Sequence, residues 1–176
     1  IGHWKDYQSF QSATHIQEAA NKVYCVSNGS LYFYNREDYT LNRISKINGL
    51  SDTQVDKVAY NKDTETLIIT YKNTNIDLLK NGTIVNISAI KRKAITGEKK
   101  INNITLRDNL AYLSCSFGIV ILDIEKQEIK DTYKIGAAAN SIAISQCSFN
   151  DTAILAATTE GLYYADINST ALFDYA

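Results

Sequence analysis

Short apolar segments alternate with polar turns along the chain, and this pattern returns at regular intervals. Four apolar residues at matching places, Leu31, Ile76, Ile119 and Leu162, are separated by 43 to 45 residues. Each belongs to a strand-turn-strand unit in which apolar residues repeat with a period of two, and Val, Ile, Tyr and Thr dominate the apolar runs. A repeat of this length predicts the four-stranded antiparallel blades of a β-propeller.

We therefore predict a single all-β domain over residues 1–176, with a propeller-like array of about four four-stranded blades. The blades are expected at 13–47, 54–88, 101–135 and 140–175. Asn28-Gly29 and Asn81-Gly82 predict hairpin turns, because Asn-Gly favours the tight two-residue connection. The outer strand of the last blade is expected at Ala171–Tyr175. The longest connection, Ser88–Lys100, joins the second and third blades.

The overall charge argues against a nucleic-acid-binding protein. The 176 residues include 18 Lys and Arg against 19 Asp and Glu, which gives a net charge of −1. Proteins that bind a phosphate backbone usually carry a basic face. The one basic cluster, Lys91, Arg92 and Lys93, lies in the long connection and is interpreted first as a solvated loop, with a site for a polyanion as the alternative.

Motifs for metal, cofactor or nucleophilic chemistry are absent from the sequence. The three cysteines have no Cys-x-x-Cys pair and the two histidines have no ligand at metal spacing, so we expect no metal and no cofactor. Cys25 and Cys115 fall in equivalent strands and are expected to be small buried apolar residues. No apolar run approaches the ~20 residues of a transmembrane helix, so the chain is not expected to span a membrane.

Three carboxylates raise the question of catalysis. Asp123 and Asp166 end equivalent strands, and Asp77 lies near the corresponding place in the second blade. Carboxylates that converge can act as a glycosidase pair. The favoured interpretation is that each caps a turn by accepting backbone N–H groups, so the chain is not expected to be an enzyme.

Aromatic residues are the strongest candidates for ligand binding. The chain has 12 tyrosines and five phenylalanines, and tyrosine offers a large contact area with a polar end. The candidate binding residues are Tyr32, Tyr34, Tyr39, Tyr163 and Tyr164, together with Lys91, Arg92 and Lys93. Alternation directs about half of the aromatic rings inward, so core packing is the alternative for each tyrosine.

Several segments resemble one family: Gly2–Phe10, Glu18–Cys25, Arg43–Asp52 and Phe117–Val120. They are similar to the N-terminal β-propeller of PorZ-type proteins, which are Bacteroidetes envelope proteins associated with the type IX secretion system. The resemblance implies export to the periplasm or the outer-membrane surface, and an envelope protein or an anionic polysaccharide such as lipopolysaccharide as partner. Members of that family are several times longer than this chain.

These observations favour a non-catalytic binding or scaffold module. Two alternatives stay open: the ligand-sensing propeller of a hybrid two-component regulator, and a glycan-active enzyme on a propeller fold. Asp151-Thr152-Ala153 is similar to the O-glycosylation acceptor of exported Bacteroidetes proteins, so Thr152 is a candidate for modification at a surface turn.

The number of blades leaves the quaternary arrangement open. A half-ring of four blades would expose an apolar face at each end, and such faces favour association. The blades can close into a small four-bladed ring, pair as a homodimer through their open edges, or belong to a larger propeller.

Overall fold

The computed structural model describes residues 11–135, 141–167 and 169. Four antiparallel sheets follow one another along the chain, and the strands of each sheet are arranged in chain order. Blade one contains β1 (Ala13–Ala19), β2 (Lys22–Ser27), β3 (Ser30–Asn35) and β4 (Leu41–Ile44). Blade two contains β5 (Val55–Asn61), β6 (Thr66–Tyr71), β7 (Ile76–Lys80) and β8 (Thr83–Ile87).

Blades three and four continue the same pattern. Blade three contains β9 (Ile101–Arg107), β10 (Leu110–Cys115), β11 (Gly118–Asp123) and β12 (Glu128–Tyr133). Blade four contains β13 (Ile144–Phe149), β14 (Ala153–Thr158) and β15 (Gly161–Asp166). The predicted outer strand at Ala171–Tyr175 lies outside the described residues. The all-β prediction with four propeller blades is confirmed.

Both Asn-Gly pairs form the predicted hairpin turns. Asn28 and Gly29 have φ values of 48° and 75°, and Asn81 and Gly82 have φ values of 50° and 77°. Positive φ at both central residues defines the type I′ turn, whose twist matches that of the flanking strands. These two turns fix the pairing of β2 with β3 and of β7 with β8.

Two short helical segments in the connections were not predicted. A 3₁₀ turn at Lys46–Asn48 follows blade one, and a single α-helical turn, α1 (Ala89–Arg92), follows blade two. Ile90 of α1 is buried against the core between blades two and three. The long connection is therefore partly packed onto the blades rather than fully solvated.

The hydrophobic core is divided into three clusters, one at each junction between successive blades. Every residue of β6 and β11 is buried, because blades two and three have a neighbouring blade on each face. Large aliphatic side chains dominate the central cluster, which includes Ile68, Leu78, Leu113 and Leu122. Burial of such side chains stabilises a fold by roughly 1.5–3 kcal/mol each.

Within the described ranges, the blades form an open array. No core cluster joins blade four to blade one, and Ile16 of blade one and Leu162 of blade four are 72% and 70% exposed. The closed four-bladed ring is therefore not formed by the part of the chain that is described. None of the described helices has the length and apolar character needed to cross a bilayer.

Candidate functional site

The basic cluster after blade two is tied to the preceding blade junction by a salt bridge. The Lys91 ammonium donates to the Asp52 carboxylate at 2.6 Å, and Asn73 also donates to that carboxylate at 2.6 Å. The hydrogen bond from Lys91, with smaller contributions from Asn73 and the Thr53 N–H, lowers the pKa of Asp52 to about 2. Lys91 therefore has a structural partner, which reduces its availability to an anionic ligand.

The remainder of the basic cluster faces solvent. Arg92 and Lys93 are exposed at the end of α1. The Lys99 ammonium donates to the carbonyl oxygens of Lys91 and Lys93, at 2.7 and 3.1 Å. A cation at the C-terminal end of a helical turn satisfies carbonyl groups that have no intrahelical partner. Arg92 and Lys93 are thus the two predicted cations that the structure leaves accessible.

Asp77 is a fully buried carboxylate at the junction of blades one and two. It accepts hydrogen bonds from the Ser51 N–H at 2.8 Å and the Asn86 amide at 2.8 Å, and from the Tyr71 hydroxyl. Burial and the bond to Asp77 raise the pKa of Tyr71. Three donors satisfy a buried carboxylate at the position where the chain enters blade two. This arrangement is a structural anchor.

The three candidate carboxylates do not occupy equivalent places, and the expectation for Asp77 was wrong in this respect. Asp77 pairs with Ile69 near the beginning of its strand, whereas Asp123 and Asp166 end their strands, opposite Leu110 and Ala153. Asp123 accepts the Lys126 N–H at 2.9 Å, as expected of a turn cap. Asp77 therefore lies at the opposite end of the blades from the other two.

The predicted tyrosines lie on two blades that are separated by blades two and three. On blade one, Tyr32 is 2% exposed, Tyr34 is 38% exposed and Tyr39 is 76% exposed. On blade four, Tyr163 faces blade three and its hydroxyl lies 3.2 Å from Glu160, while Tyr164 is 81% exposed on the other face. The structure does not bring the five rings together as one platform.

The cysteines are single thiols in the described residues. Cys115 and Cys147 are buried, Cys25 is half-buried, and none forms a disulfide. Burial raises the pKa of Cys115 to about 12, which makes its thiol unreactive at neutral pH. No group of three potential metal ligands occurs in the described ranges. Thr152 lies at the exposed turn between β13 and β14, where its N–H donates to Asn150 at 2.9 Å.

A groove of about 490 Å³ opens between blades one and two. It lies at the end of the sheets that carries the β1–β2, β5–β6 and β7–β8 turns. Tyr24 and Phe33 form one wall, with ring centroids 5.6 Å apart, and Tyr60 lines the other. The Lys22 ammonium is 4.9 Å from the centroid of the Phe33 ring. The wall is therefore aromatic with a cation beside it.

Charged and amide residues line the rest of the groove. Arg43, Glu65, Asn42 and Asn81 are among its lining residues. Burial raises the pKa of Tyr60, with a further contribution from Glu65. Sequence reasoning missed this site because its walls belong to two different sheets. The available signal was the presence of aromatic residues at repeat positions that hold Ile68, Leu78 and Leu106 at the junction between blades two and three.

A family model described as "TSS9, PorZ, N-terminal beta-propeller domain" matches residues 23–176. Among solved structures, the chain is similar to PorZ, a surface component of the type IX secretion system of Porphyromonas gingivalis. The TM-score is 0.85 and the identity 27%, over 96% of this chain and 22% of PorZ. The chain thus spans about a fifth of the length of that protein. No curated protein sequence matches the chain.

More distant structures share the fold alone. The extracellular domain of a putative hybrid two-component system from B. thetaiotaomicron has a TM-score of 0.69 at 15% identity, over 97% of this chain and 22% of that one. The computationally designed protein Ika4 has a TM-score of 0.64 at 13% identity, over 96% of this chain and 100% of the design. The family match, in contrast, extends over most of the sequence, and the chain belongs to the family of PorZ N-terminal β-propeller domains of the type IX secretion system.

Proposed function

We propose that the chain is a non-catalytic binding and assembly module of the type IX secretion system in a bacterial envelope. Export to the periplasm or the outer-membrane surface is proposed from the similarity to PorZ, which is a bacterial surface component of that system. The proposed partners are an envelope protein and a surface polysaccharide such as lipopolysaccharide. Attachment of secreted proteins to the cell surface is the process in which the module would act.

The observation that carries this proposal is a break in the repeat at blade four. Leu31, Ile76 and Ile119 are fully buried, and each faces the following blade. Leu162 occupies the same place in blade four and is 70% exposed. Tyr164, two residues further along β15, is 81% exposed. In blade four, the face that contacts the following blade elsewhere in the repeat is thus exposed to solvent.

A surface of this kind favours assembly because exposed apolar patches are frequent sites of protein association. We propose that another blade of the same repeat covers this surface, since each of the three interior junctions is formed by two neighbouring blades. In the purified protein, blade one of a second copy can cover this face of blade four. The outward face of blade one also exposes apolar residues, Ile16 and Leu41. This is the homodimer through open blade edges that the sequence suggested.

The contacts of Asp77 and Asp123 argue against a glycosidase-like function. Asp77 is held by three donors in a buried network, and Asp123 caps a turn. Neither has the paired, solvent-facing arrangement that glycoside hydrolysis uses. Tyr34, Tyr39, Tyr164, Arg92 and Lys93 are proposed as accessible contacts for a ligand. Thr152, at its exposed turn, is proposed as an O-glycosylation acceptor, and the intact mass of the protein from its native host tests this.

The test compares the wild-type protein with Leu162→Glu by sedimentation equilibrium over a range of concentrations. Association of the wild type that is weakened at least tenfold by Leu162→Glu is expected. Ile47→Glu is the matched control, because Ile47 is 76% exposed in the 3₁₀ turn and lies outside the blade-four face. A wild type that stays monomeric at all concentrations would contradict assembly through this face.

A cellular experiment tests the role in secretion. In the native host, cells that carry Leu162→Glu at normal abundance should lose secreted proteins from the surface, while Ile47→Glu cells keep them. The second candidate function, sensing in a hybrid two-component system, is favoured by the fold shared with the B. thetaiotaomicron domain. If the protein had this second function, Leu162→Glu would change a transcriptional response and leave secretion unchanged.

A further inference from the structure

Besides the Asn-Gly pairs of the two hairpin turns, Asn28-Gly29 and Asn81-Gly82, the chain contains a third at Asn48-Gly49. An asparagine before glycine is prone to deamidation, because glycine has no side chain that shields its backbone nitrogen or restricts its φ and ψ angles. All three asparagines are exposed to solvent. Exposure therefore does not distinguish them, and the contacts that hold each turn determine which asparagine can react.

The turn at Asn28-Gly29 is held by the segment that leads into blade two. The Val55 N–H donates to the Gly29 carbonyl oxygen at 2.9 Å. Gln54 packs against this glycine, since a Cβ atom at Gly29 would lie 2.8 Å from Gln54 Oε1 and 3.1 Å from Gln54 Cα. Rotation of the Gly29 peptide unit would break the hydrogen bond and displace Gln54, so this turn is expected to open rarely.

The pair Asn48-Gly49 is held by its own 3₁₀ turn. The Asn48 side-chain oxygen accepts the Ser45 hydroxyl at 3.0 Å, and the Asn48 N–H donates to the Ser45 carbonyl oxygen at 2.9 Å. The Gly49 N–H donates to the Lys46 carbonyl oxygen at 3.3 Å. The side-chain amide and the backbone nitrogen that would react with each other are thus both engaged.

The turn at Asn81-Gly82 lacks such contacts in the described part of the chain. No hydrogen bond to the Asn81 side chain is formed there, and no atom lies within 4 Å of the place that a Cβ atom would take at Gly82. The pairing of Lys80 with Thr83 closes the turn. β8 is the last strand in the sheet of blade two, and strand ends at a sheet edge open more readily than central strands.

We infer that Asn81 is a deamidation site and that it converts faster than Asn28 and Asn48. The Gly82 backbone nitrogen, after losing its proton to a base in solution, attacks Cγ of Asn81. A C–N bond to Cγ forms, the bond from Cγ to the side-chain nitrogen breaks, and ammonia leaves with the added proton. Water then opens the five-membered succinimide ring at either carbonyl carbon, which gives aspartate or isoaspartate at position 81.

The two products differ in their effect on the hairpin. Aspartate keeps the turn, because Asp-Gly also favours the type I′ geometry. Isoaspartate adds a methylene group to the main chain, which is incompatible with a two-residue turn beside the Lys80–Thr83 pair. β8 carries Asn86, which donates to the buried Asp77 at 2.8 Å. Isoaspartate is therefore expected to loosen β8, and this effect is independent of the assembly face on blade four.

The experiment follows the three pairs by peptide mass spectrometry while the purified protein is incubated at mildly alkaline pH. We expect Asn81 to convert at least fivefold faster than Asn28 and Asn48. In urea that unfolds the protein, the three rates should agree within about twofold, because each asparagine then has the same neighbour and no fixed turn. Gly82→Ala should slow the conversion of Asn81 at least fivefold and leave the other two rates unchanged.

The variant Asn81→Asp separates the effects of the two products. Its amide exchange in β8 should match that of the wild type, whereas the isoaspartate form, isolated from incubated protein, should exchange at least fivefold faster in this strand. In the folded protein, conversion of Asn81 no faster than that of Asn28 or Asn48 would overturn the inference. An Asn81 that stays intact while the unfolded chain reacts would do the same. Equal exchange in the isoaspartate form and in Asn81→Asp would overturn the assigned effect on β8.

Discussion

The Lys91 ammonium and the Asp52 carboxylate, 2.6 Å apart, connect the helical turn after blade two to the junction that precedes this blade. Asp52 has a pKa of about 2 in the folded protein, below the ordinary value near 3.9. A group with a lowered pKa stabilises the fold above its unfolded pKa, and this stability is lost as pH falls from about 4 toward 2.

We expect Lys91→Met to raise the pKa of Asp52 and to shift acid unfolding to higher pH. At pH 7, the loss should be about 1 kcal/mol, since the Lys91 side chain is partly exposed and solvent screens the pair. Circular dichroism during acid titration measures the shift. Lys93→Met on the same connection is the control, and an equal shift in both variants would contradict the assigned role of the salt bridge.

Asp77 is expected to be the most sensitive polar residue at the first junction. Asp77→Ala leaves the Ser51 N–H, the Asn86 amide and the Tyr71 hydroxyl without their common acceptor, and should cost about 3–5 kcal/mol of unfolding free energy. Tyr71→Phe removes only one donor and should cost about 1–2 kcal/mol. Urea unfolding of both variants measures the difference. A smaller loss for Asp77→Ala than for Tyr71→Phe would contradict this account.

Gly118 is required at the beginning of β11 for two reasons. Its φ is 134°, and a Cβ atom there would lie 2.3 Å from the Tyr133 carbonyl oxygen. Gly118→Ala should therefore destabilise the protein by more than about 2 kcal/mol. Gly82→Ala is the matched control, because Gly82 also has positive φ but no atom within 4 Å of the added carbon. Its cost should be about 1 kcal/mol, and equal thermal shifts would refute the argument.

Leu31 and Leu162 provide a comparison of one repeat position in two environments. Leu31→Ala should cost about 2–5 kcal/mol, because a fully buried leucine leaves a cavity. Leu162→Ala should change stability by less than about 0.5 kcal/mol in the monomer, because its side chain is exposed. Urea unfolding at low protein concentration checks both values. A large loss for Leu162→Ala would mean that this face is covered in the monomer.

Strand positions were predictable because alternation and turn residues act locally. The Asn-Gly turns determine two-residue connections, and the residues on either side pair as expected. The place of Asp77 also followed from the repeat, because Ile76 matches Ile119, so that Asp77 lies one residue and Asp123 four residues past the shared position. The repeat did not reveal the partners of Asp77. The Ser51 N–H, the Tyr71 hydroxyl and the Asn86 amide come from three separate segments that meet only in the folded structure.

The candidate site was less accessible to sequence reasoning than the fold. Counting tyrosines directed attention to Tyr32 and Tyr163, yet Tyr32 is buried and Tyr163 packs toward blade three. The groove depends on Tyr24 and Tyr60, which are 36 residues apart in the sequence and belong to different sheets. Periodicity assigns a face to each residue but does not reveal whether two facing sheets pack completely. Helix α1 has four residues, too few for a periodic signal.

The division of the core into three junction clusters has a consequence for how the blades evolve and unfold. In arrays of this kind, stability is approximately a sum over neighbouring pairs of units. Blades two and three each contribute residues to two clusters. The described strands of blades one and four each contribute to one. Substitutions in the terminal blades therefore perturb a single boundary, which leaves these blades the greater freedom to diverge and the lower resistance to local opening. Amide exchange should be slowest in β6 and β11, and become faster toward both ends of the array.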